Sequence, residues 1–282
     1  MNRRIQGIRY GILSTALFLV LLPLVMIAGG MFMGNAELVE RIGGVLGINR
    51  NRASWRAVPS YMTLKPVVEL LLDSPKFFKM FWNSVRQTVP VLLGQQLIAV
   101  PAAWSLGRYS FRGKKAVRNL YILLMILPFQ VTMVSSYLVL KNQGILDTSL
   151  AIILPAVFST FPVFIMIKFF ESIPEELMEA ARMDGAGEIR IFTAIGIPLG
   201  KGGILSAMIL SYLECWNAIE QPLTFLREKS LWPMSLYLPQ ITADRAGVAF
   251  AASAVMMIPA VLIFLWGEGY LEQGIVASGI KE

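Results

Sequence analysis

Few side chains in this 282-residue chain could do chemistry, and several common reactions drop out at once. There is no histidine, which removes the commonest metal ligand and general base, so zinc chemistry is not expected. Cys215 is the one cysteine, so no disulfide forms within the chain. No G-x-S-x-G nucleophile turn is present. The nearest approach to a phosphate-cradling G-x-x-x-x-G-K-S/T loop is Gly196-Ile197-Pro198-Leu199-Gly200-Lys201-Gly202. It has three residues between its glycines, and a glycine where the magnesium-binding hydroxyl is needed. Two polar clusters remain. One is the carboxylate-rich stretch Ser172 to Lys201, which holds Glu175, Glu176, Glu179 and Asp184. The other runs from Ser211 to Gln221 inside an otherwise apolar region. On a helix it puts Glu214, Asn217 and Gln221 at i, i+3 and i+7 on one face, with Trp216 beside them. That face either lines a polar route, or its polar groups seal helix contacts while Trp216 joins an interfacial aromatic belt. Neither reading turns it toward lipid.

The elements that must position these residues follow from composition. Hydrophobic residues make up 56% of the chain and charged ones 15%, against about 45–50% and about 25% in ordinary soluble domains. The apolar residues come in runs of about 20, the length that crosses a hydrocarbon core as helix. Spans are expected at about 11–33, 83–107, 119–140, 150–170, 202–219 and 247–267. The first run is too long for the apolar part of a cleaved signal peptide, usually about 7–15 residues, and is read as a retained span. The fold class expected is an all-α integral membrane protein with six transmembrane helices in a single domain, 1–282. A segment at 34–82 lies outside; its apolar clusters around Val67–Leu72 and Phe77–Trp82 are read as helices on the membrane surface or against a partner. The net charge of +7 comes without basic and aromatic residues interleaved on a polar surface, so nucleic acid is not a partner. Arg108, Arg112, Lys114, Lys115 and Arg118 follow the second span without an intervening acid, and Arg3, Arg4 and Arg9 precede the first. By the positive-inside rule both lie in the cytoplasm, which puts both termini and the Ser172–Lys201 segment there too.

That segment reads as two helices and a corner. Ser172 and Glu175 form the pattern of a capping box, with Pro174 just inside the first turn. Leu177, Met178, Ala180 and Ala181 favour helix, Gly185 stands where a left-handed residue would end it, and a second helical pattern, Ile189 to Ile195, ends at Pro198. First-turn acids such as Glu175 and Glu176 suit the helix dipole, whereas Asp184 at the C-terminal end opposes it and is read as kept for a partner.

Glu179-Ala180-Ala181, three residues, Gly185, nine residues, then Ile195-Gly196-Ile197-Pro198 resembles the EAA loop of the permease subunits of ABC importers, with Ile197 where that pattern has leucine. Asn83-Ser84, the run Pro101 to Arg108, Phe111, Gly113-Lys114, Trp216-Asn217 and the stretch Gly274 to Lys281 resemble the carbohydrate branch of that family, the branch of the maltose importer. The resemblance implies a bacterial-type plasma (inner) membrane location and a coupling helix bearing Glu179, Ala180, Ala181, Asp184 and Gly185 that docks on a separate ATPase. It implies two ATP-binding subunits, a second permease forming a heterodimer, and an extracytoplasmic substrate-binding protein, with no cofactor and no catalysis on this chain. The face with Glu214, Trp216, Asn217 and Gln221 would then bond sugar hydroxyls and stack on sugar rings. Two alternatives fit less well. An ion-coupled secondary transporter typically carries inverted repeats and several intramembrane carboxylates. A membrane enzyme needs paired acids or a nucleophile with a base, and Glu214 has only Glu220 near it in sequence.

Overall fold

The computed structural model of the protein describes residues 3–45, 54, 58–238, 242 and 245–279. It divides into two compact units, residues 1–79 with 236–259, and 80–235 with 260–282.

In the first unit, α1 (Arg3–Gly30) is the apolar N-terminal run; residues 9–25 are exposed, as on a lipid-facing helix, while Gly29 and Gly30 are buried, Gly30 against the Phe250 ring. Pro23 lies inside it. A short helix α2 (Asn35–Ile42) packs Leu38 against Met33 and Ala246. The Asn35 side chain accepts the Gly247 N–H at 2.9 Å, and Arg41 bridges Glu37 at 2.7 Å and Ser60 at 2.6 Å. Helix α3 (Lys65–Leu72) is tied by Glu69 to Arg245 at 2.6 Å. The cluster Phe77–Trp82 does not form a separate surface helix, because α4 (Pro75–Arg108) begins before it. Pro75 supplies the preset φ of a first turn. Phe77 and Met80 are buried at i, i+3 spacing while Lys76 and Lys79 take the exposed face, so a continuous helix accommodates both charges.

The second unit holds most of α4 and the helices α5 (Lys114–Ile126), α6 (Phe129–Asn142), α7 (Leu150–Val157), α8 (Phe161–Glu171), α9 (Glu175–Met183), α10 (Glu188–Ile191), α11 (Ile197–Leu199), α12 (Lys201–Trp216) and α13 (Glu220–Phe225). The last helix, α14 (Ala246–Gly279), contributes to both units. Trp104, Met166, Phe170, Met178, Ile191 and Ala207 share one core, with Trp104 edge-on to Phe170 at 5.3 Å.

The expected third span, 119–140, is not one helix. α5 and α6 meet at 100°. Pro128 forces the residue before it away from helical geometry, and Leu127 is extended with ψ 119°. The fifth also differs, since α12 starts at Lys201 and ends at Trp216, short of the expected 219. The helical run from Glu188 passes through Pro198 rather than stopping there, and bends by 68° at Gly200. A wide π turn over Phe192–Gly196 precedes Pro198, the usual way a helix absorbs a misfit in its ladder. Among the described residues four helical stretches, in α1, α4, α7 with α8, and α14, are long and apolar enough to cross a membrane, or up to six if each bent pair counts as one span.

Candidate functional site

Of the carboxylate-rich segment, the structure shows α9, a corner and a second helical run. α9 begins after Pro174, and no side chain caps it. The capping box does not form: the Ser172 hydroxyl donates to the Phe169 carbonyl at 2.7 Å, finishing α8 instead. Glu175 is drawn away to two arginines. The C-terminal end matches its sequence pattern, with Gly185 at φ 79°, Ala186 N–H donating to Ala181 O at 2.9 Å and Gly185 N–H to Arg182 O at 3.0 Å. This pair of bonds is the Schellman motif, and it needs a left-handed residue at Gly185. Glu179, Ala180 and Asp184 are exposed, and Ala181 is half-buried against the core. Met178 is the one buried residue of α9. Met183 and Ile189, 88% and 81% exposed, flank the corner and add apolar surface that the residue types alone did not single out.

The corner is tied back to the end of α4. Arg108 donates to the carbonyls of Ile173 at 2.9 Å and Phe170 at 3.3 Å and to the carboxylate of Glu175. Arg182 donates to Glu175 at 3.2 Å and through Nε to Glu188 at 2.9 Å. The Tyr109 hydroxyl donates to the other oxygen of Glu188 at 2.8 Å. The hydrogen bonds from Arg182 and Tyr109 hold the Glu188 carboxyl below the usual carboxylate range, while burial is the chief cause raising the Tyr109 phenol above its own.

The second cluster is split by the chain. α12 ends at Trp216 and Asn217 caps it, so Gln221 belongs to the separate helix α13 and the i+7 relation to Glu214 does not exist. Glu214 and Gln221 nevertheless line one cavity of about 330 Å³, together with Gln95, Thr132, Ser136 and Thr160. Among the described residues no Lys or Arg lines it. Gln95 is buried; its amide nitrogen donates to Ala156 O at 2.8 Å, and its Oε1 has no partner among the described residues. Trp216 points elsewhere: it is 5% exposed, stacked on Tyr212 at 5.4 Å and edge-on to Phe81 at 5.8 Å. The Asn217 side chain is exposed and donates to Leu213 O at 2.8 Å.

Residues 99–277, which include both clusters, match the family described as binding-protein-dependent transport system inner membrane component. The chain belongs to this family. An inner membrane component of this kind is a multi-pass membrane protein, in keeping with the apolar helices. The arabinooligosaccharides transport system permease protein AraQ of Halalkalibacterium halodurans is 25% identical over 94% of this chain and 92% of its own length. The lactose transport system permease protein LacG of Rhizobium radiobacter is 23% identical over 99% of this chain and 98% of its own. Among solved structures, a chain of a bacterial ABC transporter involved in the import of the acidic polysaccharide alginate superposes with a TM-score of 0.81. It has 21% identity and covers 96% of this chain and 98% of that one, which shows the permease fold.

Proposed function

We propose that this chain is the membrane permease subunit of an ATP-driven importer for a sugar, oligosaccharide or related polyol. The observation that carries the substrate class is likeness along nearly the whole chain to permeases named for oligosaccharide and disaccharide transport. In this reading the bent pairs α5–α6 and α10–α12 each count as one crossing, giving six spans with both termini in the cytoplasm. The segment from Ser172 to Lys201 is the EAA loop, and α9 docks on a separate ATPase through Ala180, Ala181 and the Gly185 corner, with Glu179 and Asp184 as charged contacts. Two such ATPase subunits, a second permease and an extracytoplasmic binding protein complete the assembly. A solved alginate importer in complex with a pentasaccharide-bound periplasmic protein supports that last partner by analogy of fold. The chain lacks a phosphate-cradling loop, so the energy for moving between inward-open and outward-open states comes from nucleotide binding differentially to the two states on the ATPase. Glu214 and Gln221, with Gln95 behind them, offer hydrogen bonds to hydroxyl-rich substrate in the cavity. The test is to identify by mass spectrometry the ligand that co-purifies with the cognate binding protein, and to measure its uptake with and without this chain. A sugar or polyol whose uptake needs the chain is expected; an amino acid, peptide or metal ion would refute the substrate class.

A further inference from the structure

We propose that Arg108, Glu175, Arg182, Glu188 and Tyr109 form a closed ring that fixes the α9–Gly185–α10 corner to the end of α4, so that movement at the corner is carried into α4. This rests on the reading that α9 meets the ATPase. The ring runs from Arg108 to one oxygen of Glu175, from the other oxygen to Arg182, from Arg182 to Glu188, and from Glu188 to Tyr109, which is bonded in sequence to Arg108. Each carboxylate accepts from Arg182 on α9 and from a residue at or just past the end of α4. Arg108, its side chain 9% exposed, also grips the last carbonyls around α8, so the ring is anchored on the protein rather than floating in solvent.

Exposed ion pairs taken singly contribute little to stability, and Arg182, Glu175 and Glu188 are all about half exposed. What a closed set of directional bonds supplies is orientation. That matters here because α9 fully buries only Met178, with Ala181 partly packed beside it, a small apolar anchor for a nine-residue helix. α4 is the element that gains from it: one continuous helix leads from Arg108 back to Gln95 in the cavity wall, roughly 20 Å at 1.5 Å per residue. The five side chains are therefore positioning residues. They act through α4 and touch neither nucleotide nor substrate.

The test uses the assembled complex in membranes and reads substrate transported per ATP hydrolysed, beside the amount of complex formed. Arg182→Ala and Glu188→Ala alone should each lower that ratio by about threefold or more, and the double variant should lower it no further than the worse single, because one opening already breaks the ring. Tyr109→Phe opens the ring at one bond and should lower the ratio with no loss of assembly; it carries the test if a truncation reduces the amount of complex. Unchanged ratios in the single variants overturn the proposal. So does a double variant whose loss is the product of the two single losses, because the two side chains would then be acting independently of each other. A cross-link from Met183→Cys, in a Cys215→Ser background, to the ATPase tests docking separately: its absence removes the docking reading whatever the ratios show.

Discussion

Gly200 lies directly against the ring of Phe170, so close that a Cβ on its backbone would stand 2.3 Å from Cε1 and 2.9 Å from the Gly196 carbonyl oxygen. Three residues on, Gly203 faces Phe169 in the same way, with 2.4 Å to its Cγ. The two contacts let α8 and α12 approach at the point where the chain bends by 68°. Backbone cannot yield as a flexible side-chain tip can. Gly200→Ala should destabilise the assembled protein by about 1–3 kcal/mol, the usual cost of overpacking. Gly187→Ala, at φ −72° with nothing within 4 Å, should be close to neutral. Thermal unfolding of the two purified variants compares them.

Gly185 has the opposite difficulty, with open space around it and a positive φ. Gly185→Val should cost about 1–2 kcal/mol, confined to the corner, because the left-handed conformation crowds a Cβ. Membrane insertion should be unchanged while uptake falls and ATP hydrolysis persists. Gly185→Asn should be milder, since asparagine tolerates this region. Uptake and ATP hydrolysis measured in the same preparation check both.

Asp147 is a non-glycine residue at φ 62° that holds two strands of loop together: its Oδ1 accepts the N–H groups of Arg227 and Glu228 at 2.9 and 2.8 Å. Asp147→Ala should release the 226–232 loop, with a cost of about 0.5–1.5 kcal/mol for each of the two hydrogen bonds lost at this exposed site. Asp147→Asn keeps an acceptor and should retain most of the order. Hydrogen exchange at Arg227 and Glu228 is the measurement.

The cavity residues and the buried indole should separate cleanly. Glu214→Ala and Gln221→Ala should lower uptake at an unchanged amount of complex. Asn217→Ala, exposed and bonded only to its own helix, should lower it less. Trp216→Ala removes a core side chain stacked on Tyr212 and should cost about 3–5 kcal/mol, seen as less assembled complex. Normal uptake by both Glu214→Ala and Gln221→Ala would remove this cavity from the transport route.

How far the residues alone reveal this arrangement depends on the range over which each feature is decided. The end of α9 at Gly185 is local: a left-handed residue at a helix end favours glycine, and glycine stands there. The apolar runs likewise mark where helix lies, though not where it breaks or bends. The break at Leu127–Pro128 was not legible, since Pro23, Pro90, Pro101 and Pro259 all sit inside continuous helices. Neighbouring packing decides which proline breaks a helix, and no sequence window contains it. The Ser172–Glu175 pattern misled for the same reason: Arg108, 67 residues away, takes the Glu175 carboxylate. Gln221 reaches the cavity wall beside Glu214, but by the end of one helix and the start of another rather than by helical spacing.

The central claim is that this chain moves its substrate by coupling to ATP hydrolysed elsewhere. Proteoliposomes holding this chain with its second permease and ATPase subunits, supplied with binding protein and labelled ligand, decide it. Uptake that requires ATP and binding protein, persists when proton and sodium gradients are collapsed, and is lost when the ATPase subunit is catalytically disabled is the expected result. Uptake driven by an ion gradient without ATP would contradict the account.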